Sequence, residues 1–113
     1  MPQSAVPGRV AGGSFRLAAA ADGKFVAEGP LTFATARAAR EAGLRTLAEG
    51  SAGEREVDCS GITQSDSAGL AVLLEWLAAA KRAGHKLRYV RLPEGLVALG
   101  RISEVEELLE RGV

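Results

Sequence analysis

Aromatic side chains are scarce in this chain: three Phe, one Trp and one Tyr make up 4% of its 113 residues. So few rings leave little to stack against nucleic-acid bases. Net charge is absent as well, with 14 basic and 14 acidic residues in balance, so nothing steers the chain toward DNA, RNA or an anionic membrane surface. With Cys59 the only cysteine, no disulfide can close within the chain, and a reducing cytosol is the expected compartment. The first ten residues lack an apolar core of signal-peptide length, and no later run reaches membrane-spanning length without charges. Direct membrane insertion is therefore not expected.

The chemistry of catalysis is thin too. His85, the single histidine, follows Gly84 and is expected in an exposed turn, with no second His, Cys or carboxylate at metal-ligand spacing. Cys59 is expected to be a small buried apolar residue rather than a nucleophile. Asp58 and Asp66 sit at opposite ends of a presumed turn, without an acid–base partner. Neither a phosphate-cradling Gly-x-x-x-x-Gly-Lys loop nor a Gly-x-Gly-x-x-Gly fingerprint occurs. The sequence predicts no enzyme, no metal and no cofactor.

What the chain does have is an orderly alternation of elements. Residues 1–13 mix Pro, Gly and Ser without periodicity and are expected to form a flexible lead-in to a domain at 14–113. Asp22-Gly23 between two short runs signals a hairpin. A helix follows, capped by Thr32 or Thr35 and reaching about Glu49, with Phe33, Ala36, Arg40, Leu44 and Leu47 on one stripe. A third strand is expected over 54–59, then a polar turn, then a long helix capped by Ser65 or Asp66 and stopped by Ala83-Gly84. The run 86–92 alternates as a fourth strand with Leu87, Tyr89 and Arg91 on one side; helices at 94–102 and beyond Ser103 complete the chain. The order β-β-α-β-α-β-α-α predicts an α/β (α+β-like) fold: about four strands in a mixed sheet with helices mainly on one face.

The helix after Asp66 carries the most information. At about 100° per residue, Leu70, Leu73, Leu74, Leu77 and Ala80 gather on one face as core. The other face holds Ala68, Ala71, Val72, Glu75, Ala79 and Arg82, with Ser67 near its start. Its first two turns are small and apolar, which lets another backbone or helix approach closely. Alanine is also simply a good helix former, but a β-branched Val72 on a solvent face has no propensity reason to be there. Trp76, on the flank, is expected to be half buried. Ser67 has two readings: a first-turn hydroxyl satisfying an orphan amide, or a contact point or phosphoacceptor at the helix's positive end, opposed by the neighbouring Asp66 charge.

The stretch Val57-Asp58-Cys59-Ser60-Gly61-Ile62, then Asp66-Ser67-Ala68-Gly69-Leu70 opening a helix, together with Gly29-Pro30-Leu31-Thr32-Phe33 and Ala83-Gly84-His85, resembles the STAS domain family over roughly residues 15–110. Within it, Ser65 to Leu74 and Ala79 to Gly84 are most similar to MlaB-type subunits. The resemblance implies a non-enzymatic cytoplasmic subunit, peripheral to the inner membrane. It would bind the MlaF-like ATPase of an ABC transporter with a membrane permease, one that moves phospholipid and maintains outer-membrane lipid asymmetry. It further implies a contact surface of Asp66, Ser67, Ala68, Ala71, Val72 and Glu75. Ser67 matches the hydroxyl that anti-sigma-factor antagonists of the family present for phosphorylation, and Asp66 the acidic residue before it. The chain departs from those antagonists in having Ala68 where many carry a second Ser, and in its short section after Ser103. A phospho-switched antagonist is the alternative.

Overall fold

The computed structural model describes residues 14–49 and 53–111; the expected lead-in at 1–13 lies outside them. Among these residues eight elements follow in order: β1 (Arg16–Ala21), β2 (Lys24–Leu31), α1 (Ala36–Thr46), β3 (Gly53–Ser65), α2 (Ser67–Arg82), β4 (His85–Val90), α3 (Glu94–Ile102) and α4 (Glu106–Arg111). The four strands form one mixed sheet in chain order. β1 and β2 pair antiparallel through the Asp22-Gly23 turn, where Gly23 takes φ 69°. β2, β3 and β4 run parallel. The expected order of elements and the mixed sheet are both present.

Alternation along the strands sorts the two faces. Ala27 and Leu31 of β2, Val57 and Cys59 of β3, and Leu87 and Tyr89 of β4 are buried beneath the helices. Their neighbours in sequence form a charged outer face, where Glu56 accepts from Arg88 (3.0 Å) and Lys24 (3.4 Å) and Arg16 pairs with Glu28. Arg88 first, then Lys24, hold the Glu56 carboxyl below its ordinary value. Such charges on an open sheet discourage sheet-to-sheet association. Burial pushes the Cys59 thiol up to about 12, which leaves it an apolar filler, as expected.

Several expectations need correction. β3 does not end at Cys59; it continues to Ser65, because Gly61, Ile62 and Ser65 remain paired with Glu28, Gly29 and Leu31 of β2. The presumed polar turn is thus strand, with Ile62 buried. α1 stops at Thr46; Ala39 and Gly43 face inward, Ala36 is partly buried, and Leu47 is buried at the C-cap. Arg91 lies beyond β4 at φ 54° and reaches the outer face, where Nη2 donates to Asp58 Oδ2 at 2.8 Å. Ser103 closes α3 rather than opening α4. His85 is no exposed turn residue. It begins β4, is 4% exposed, and has Nε2 3.4 Å from the Ala48 carbonyl.

α2 runs between α1 and α3 over the sheet, and this enclosure decides the fate of Val72 and Trp76. Trp76 is fully buried rather than half buried; its Nε1 donates to the Ala39 carbonyl at 3.2 Å. Its ring lies so close to Gly43 that a Cβ there would sit 2.0 Å from Nε1. Glycine at 43 is what lets α1 close over the indole. Val72, one turn earlier on that flank, is 3% exposed. Leu70, Leu73, Leu77 and Ala80 are buried as expected, while Leu74 is only partly so.

Candidate functional site

The parallel strands β2 and β3 end side by side, so the loops after them share one end of the sheet. β2 leads into residues 32–35 and β3 into Asp66, the cap of α2. Asp66 joins the two loops. Its Oδ1 accepts from Gly69 N at 3.1 Å, capping the helix, and its Oδ2 accepts from Phe33 N at 3.0 Å across the gap. One short carboxylate thereby satisfies an orphan helix amide and pins the loop from the neighbouring strand.

That loop is fastened from within as well. Thr35 occupies the position before α1 without capping it; its hydroxyl instead donates to the Pro30 carbonyl at 2.8 Å and accepts from Thr32 N at 3.0 Å. Close backbone approach completes the junction. A Cβ on Gly69 would stand 2.1 Å from the Leu31 carbonyl oxygen, so the first turn of α2 rests directly on the end of β2.

The solvent face of α2 runs along Ser67, Ala71, Glu75 and Ala78. Of the residues expected on this surface, Ser67, Ala71 and Glu75 are exposed, and Asp66 and Ala68 are partly buried at its start. Val72 does not belong to the exposed face; its side chain is core. Glu75 is already engaged, accepting from Arg40 Nε of α1 at 2.6 and 3.0 Å. The small exposed side chains of the first two turns, Ser67 and Ala71, are thus followed on this face by an interhelical ion pair.

One exposed residue was expected elsewhere. Phe33, assigned by periodicity to the inward stripe of α1, lies in the turn before that helix and is 84% exposed. The signal for this was Gly-Pro followed by two threonines, residue types that bond to local backbone and delay a helix start.

The Asp66 carboxyl lies below its ordinary value of 3.8, chiefly because Phe33 N–H and then Gly69 N–H bond its ionised form. A folded-state value lowered in this way adds stability that is complete above the unfolded carboxylate value and is lost as pH falls below it. The destabilisation caused by Asp66→Asn is thus expected to shrink as pH drops from ~5 to ~2, read from paired thermal melts. A gap between the two melts that stays constant with pH would contradict the charged clamp.

Among the described residues no cluster of three or more His, Cys, Asp or Glu could hold a metal ion, and no helix is long and apolar enough to cross a membrane. A family model described as "Mlab, STAS domain" matches residues 16–110. No curated protein matches the chain.

Proposed function

The chain belongs to the STAS domain family described for MlaB, and from that premise we propose that it is a non-enzymatic subunit docking on the ATPase of an Mla-type, phospholipid-transporting ABC transporter. In this role it would sit in the cytoplasm, held at the inner membrane through the ATPase and its permease, and would support the transport that maintains outer-membrane lipid asymmetry. The observation that carries the reading is the exposed start of α2. There Ser67 and Ala71 present small side chains at the head of a helix whose cap also fixes the adjoining loop. A partner helix can approach such a surface closely, at little cost in side-chain ordering.

Ala71→Glu tests this. Ala71 is exposed, so the fold should tolerate the change, while a carboxylate inside the contact must be desolvated. Binding to the purified ATPase subunit is expected to weaken by at least ~10-fold. Ala18→Glu, on β1, should leave it unchanged. Equal affinities for all three proteins would remove the docking surface from α2.

The exposed Ser67 hydroxyl supports a second reading, an anti-sigma-factor antagonist switched by phosphorylation. Stoichiometric phosphate on Ser67 from a cognate anti-sigma kinase, abolished by Ser67→Ala and accompanied by no affinity for an ABC ATPase, would replace the first reading with this one.

A further inference from the structure

Phe33 is one of only five aromatic residues, and it turns its ring to water while Trp76 and Tyr89 are buried. The loop beneath it is not loose. Leu31 on one side is fully buried and Thr35 on the other is 7% exposed. Thr32 N and the Pro30 carbonyl are both held by the Thr35 hydroxyl, and Thr35 N donates to the Thr32 carbonyl at 3.0 Å. Phe33's own amide is clamped to Asp66, one residue before the exposed Ser67. The backbone that carries the ring is thus fixed before any partner arrives, which lowers the entropy lost on binding. Aromatic side chains carried on such a fixed backbone anchor protein interfaces.

The charges on the neighbouring helix faces are matched: Arg40 with Glu75, and Arg37 with Glu41 at 3.8 Å. With those pairs matched and the ionised Asp66 carboxylate bonded to the amide of Phe33 itself, the patch suits an apolar cleft in a protein better than a phosphate backbone or an anionic bilayer. We propose that Phe33 is the anchor of the docking surface, its ring entering an apolar cleft on the ABC ATPase beside the contact made by Ser67 and Ala71. This inference rests on the docking reading above.

The test is calorimetric titration of the full chain, wild type and Phe33→Ala, with the purified ABC ATPase subunit from the same organism. Emission of the single, buried Trp76 and the thermal midpoint serve as checks on the fold. Phe33→Ala is expected to keep both and to lose at least ~10-fold in affinity, with Phe33→Leu falling between. Wild-type binding that Phe33→Ala matches would overturn the anchor and leave the docking reading standing. No binding by the wild type would overturn both. Phe33-dependent binding to phosphatidylglycerol vesicles, or Phe33-dependent self-association, without an affinity change toward the ATPase would reassign the ring and overturn the proposal.

Discussion

Val72→Glu is expected to unfold the domain rather than to release a partner from a folded one. The side chain is 3% exposed on the flank of α2 that also carries the fully buried Trp76. The core is apolar, and among the described residues the buried polar ones are Thr35 and His85. Loss of the valine's burial costs about 1.5–3 kcal/mol. Placing a carboxylate there without a cation adds several kcal/mol more, whether it stays charged or takes up a proton. The sum is comparable to the whole stability of a small domain, about 5–15 kcal/mol. Urea unfolding followed by Trp76 fluorescence should show a transition largely displaced into dilute denaturant or absent. A wild-type midpoint would mean that α2 is rotated so as to expose Val72.

Gly69→Ala carries the next largest effect, and it separates packing from propensity. In an open helix the substitution would gain about 1 kcal/mol. Here the new Cβ would lie 2.1 Å from the Leu31 carbonyl oxygen and 3.0 Å from its carbon, both backbone atoms of a fully buried residue. Neither can swing aside as a side-chain tip would. The first turn of α2 must lift instead, straining the Asp66 bonds to Gly69 and Phe33. A net loss of more than ~2 kcal/mol is expected, toward the upper range for overpacking, together with weaker ATPase binding. A Gly69→Ala protein more stable than wild type would show that β2 and α2 do not meet this closely.

These two positions also mark what was legible in the sequence. The hairpin at Asp22-Gly23, the Asp66 cap, the stop at Ala83-Gly84 and the core residues Leu70, Leu73, Leu77 and Ala80 follow from local rules, and the structure has them. Val72 and Trp76 did not, because a helical wheel assumes one buried side. α2 is covered by the sheet beneath it and by α1 and α3 beside it, so its buried arc is wider than amphipathic patterning predicts. Ser60 to Ser65 resembled a turn because polar residues and glycine dominate it, yet parallel pairing with β2 extends the strand through them.

The candidate site divides in the same way. Asp66, Ser67 and Ala71 were visible as the start of a helix with small outward residues. The bond from Phe33 N to Asp66 links positions 33 residues apart, and no local pattern reports it. Nor could spacing show that Glu75 is paired with Arg40 across two helices. Helix phase is set by tertiary enclosure, and only the fold reveals which residues the two strand ends bring together.

Hydrogen–deuterium exchange of the full chain, alone and saturated with the ABC ATPase subunit, tests the docking claim most directly. Amides of residues 31–35 and 67–75 are expected to exchange more slowly in the complex, while those of the β1–β2 hairpin at 16–24 keep their free-chain rates. Protection confined to that hairpin, with the loop around Phe33 and the first turns of α2 unchanged, would contradict the assignment.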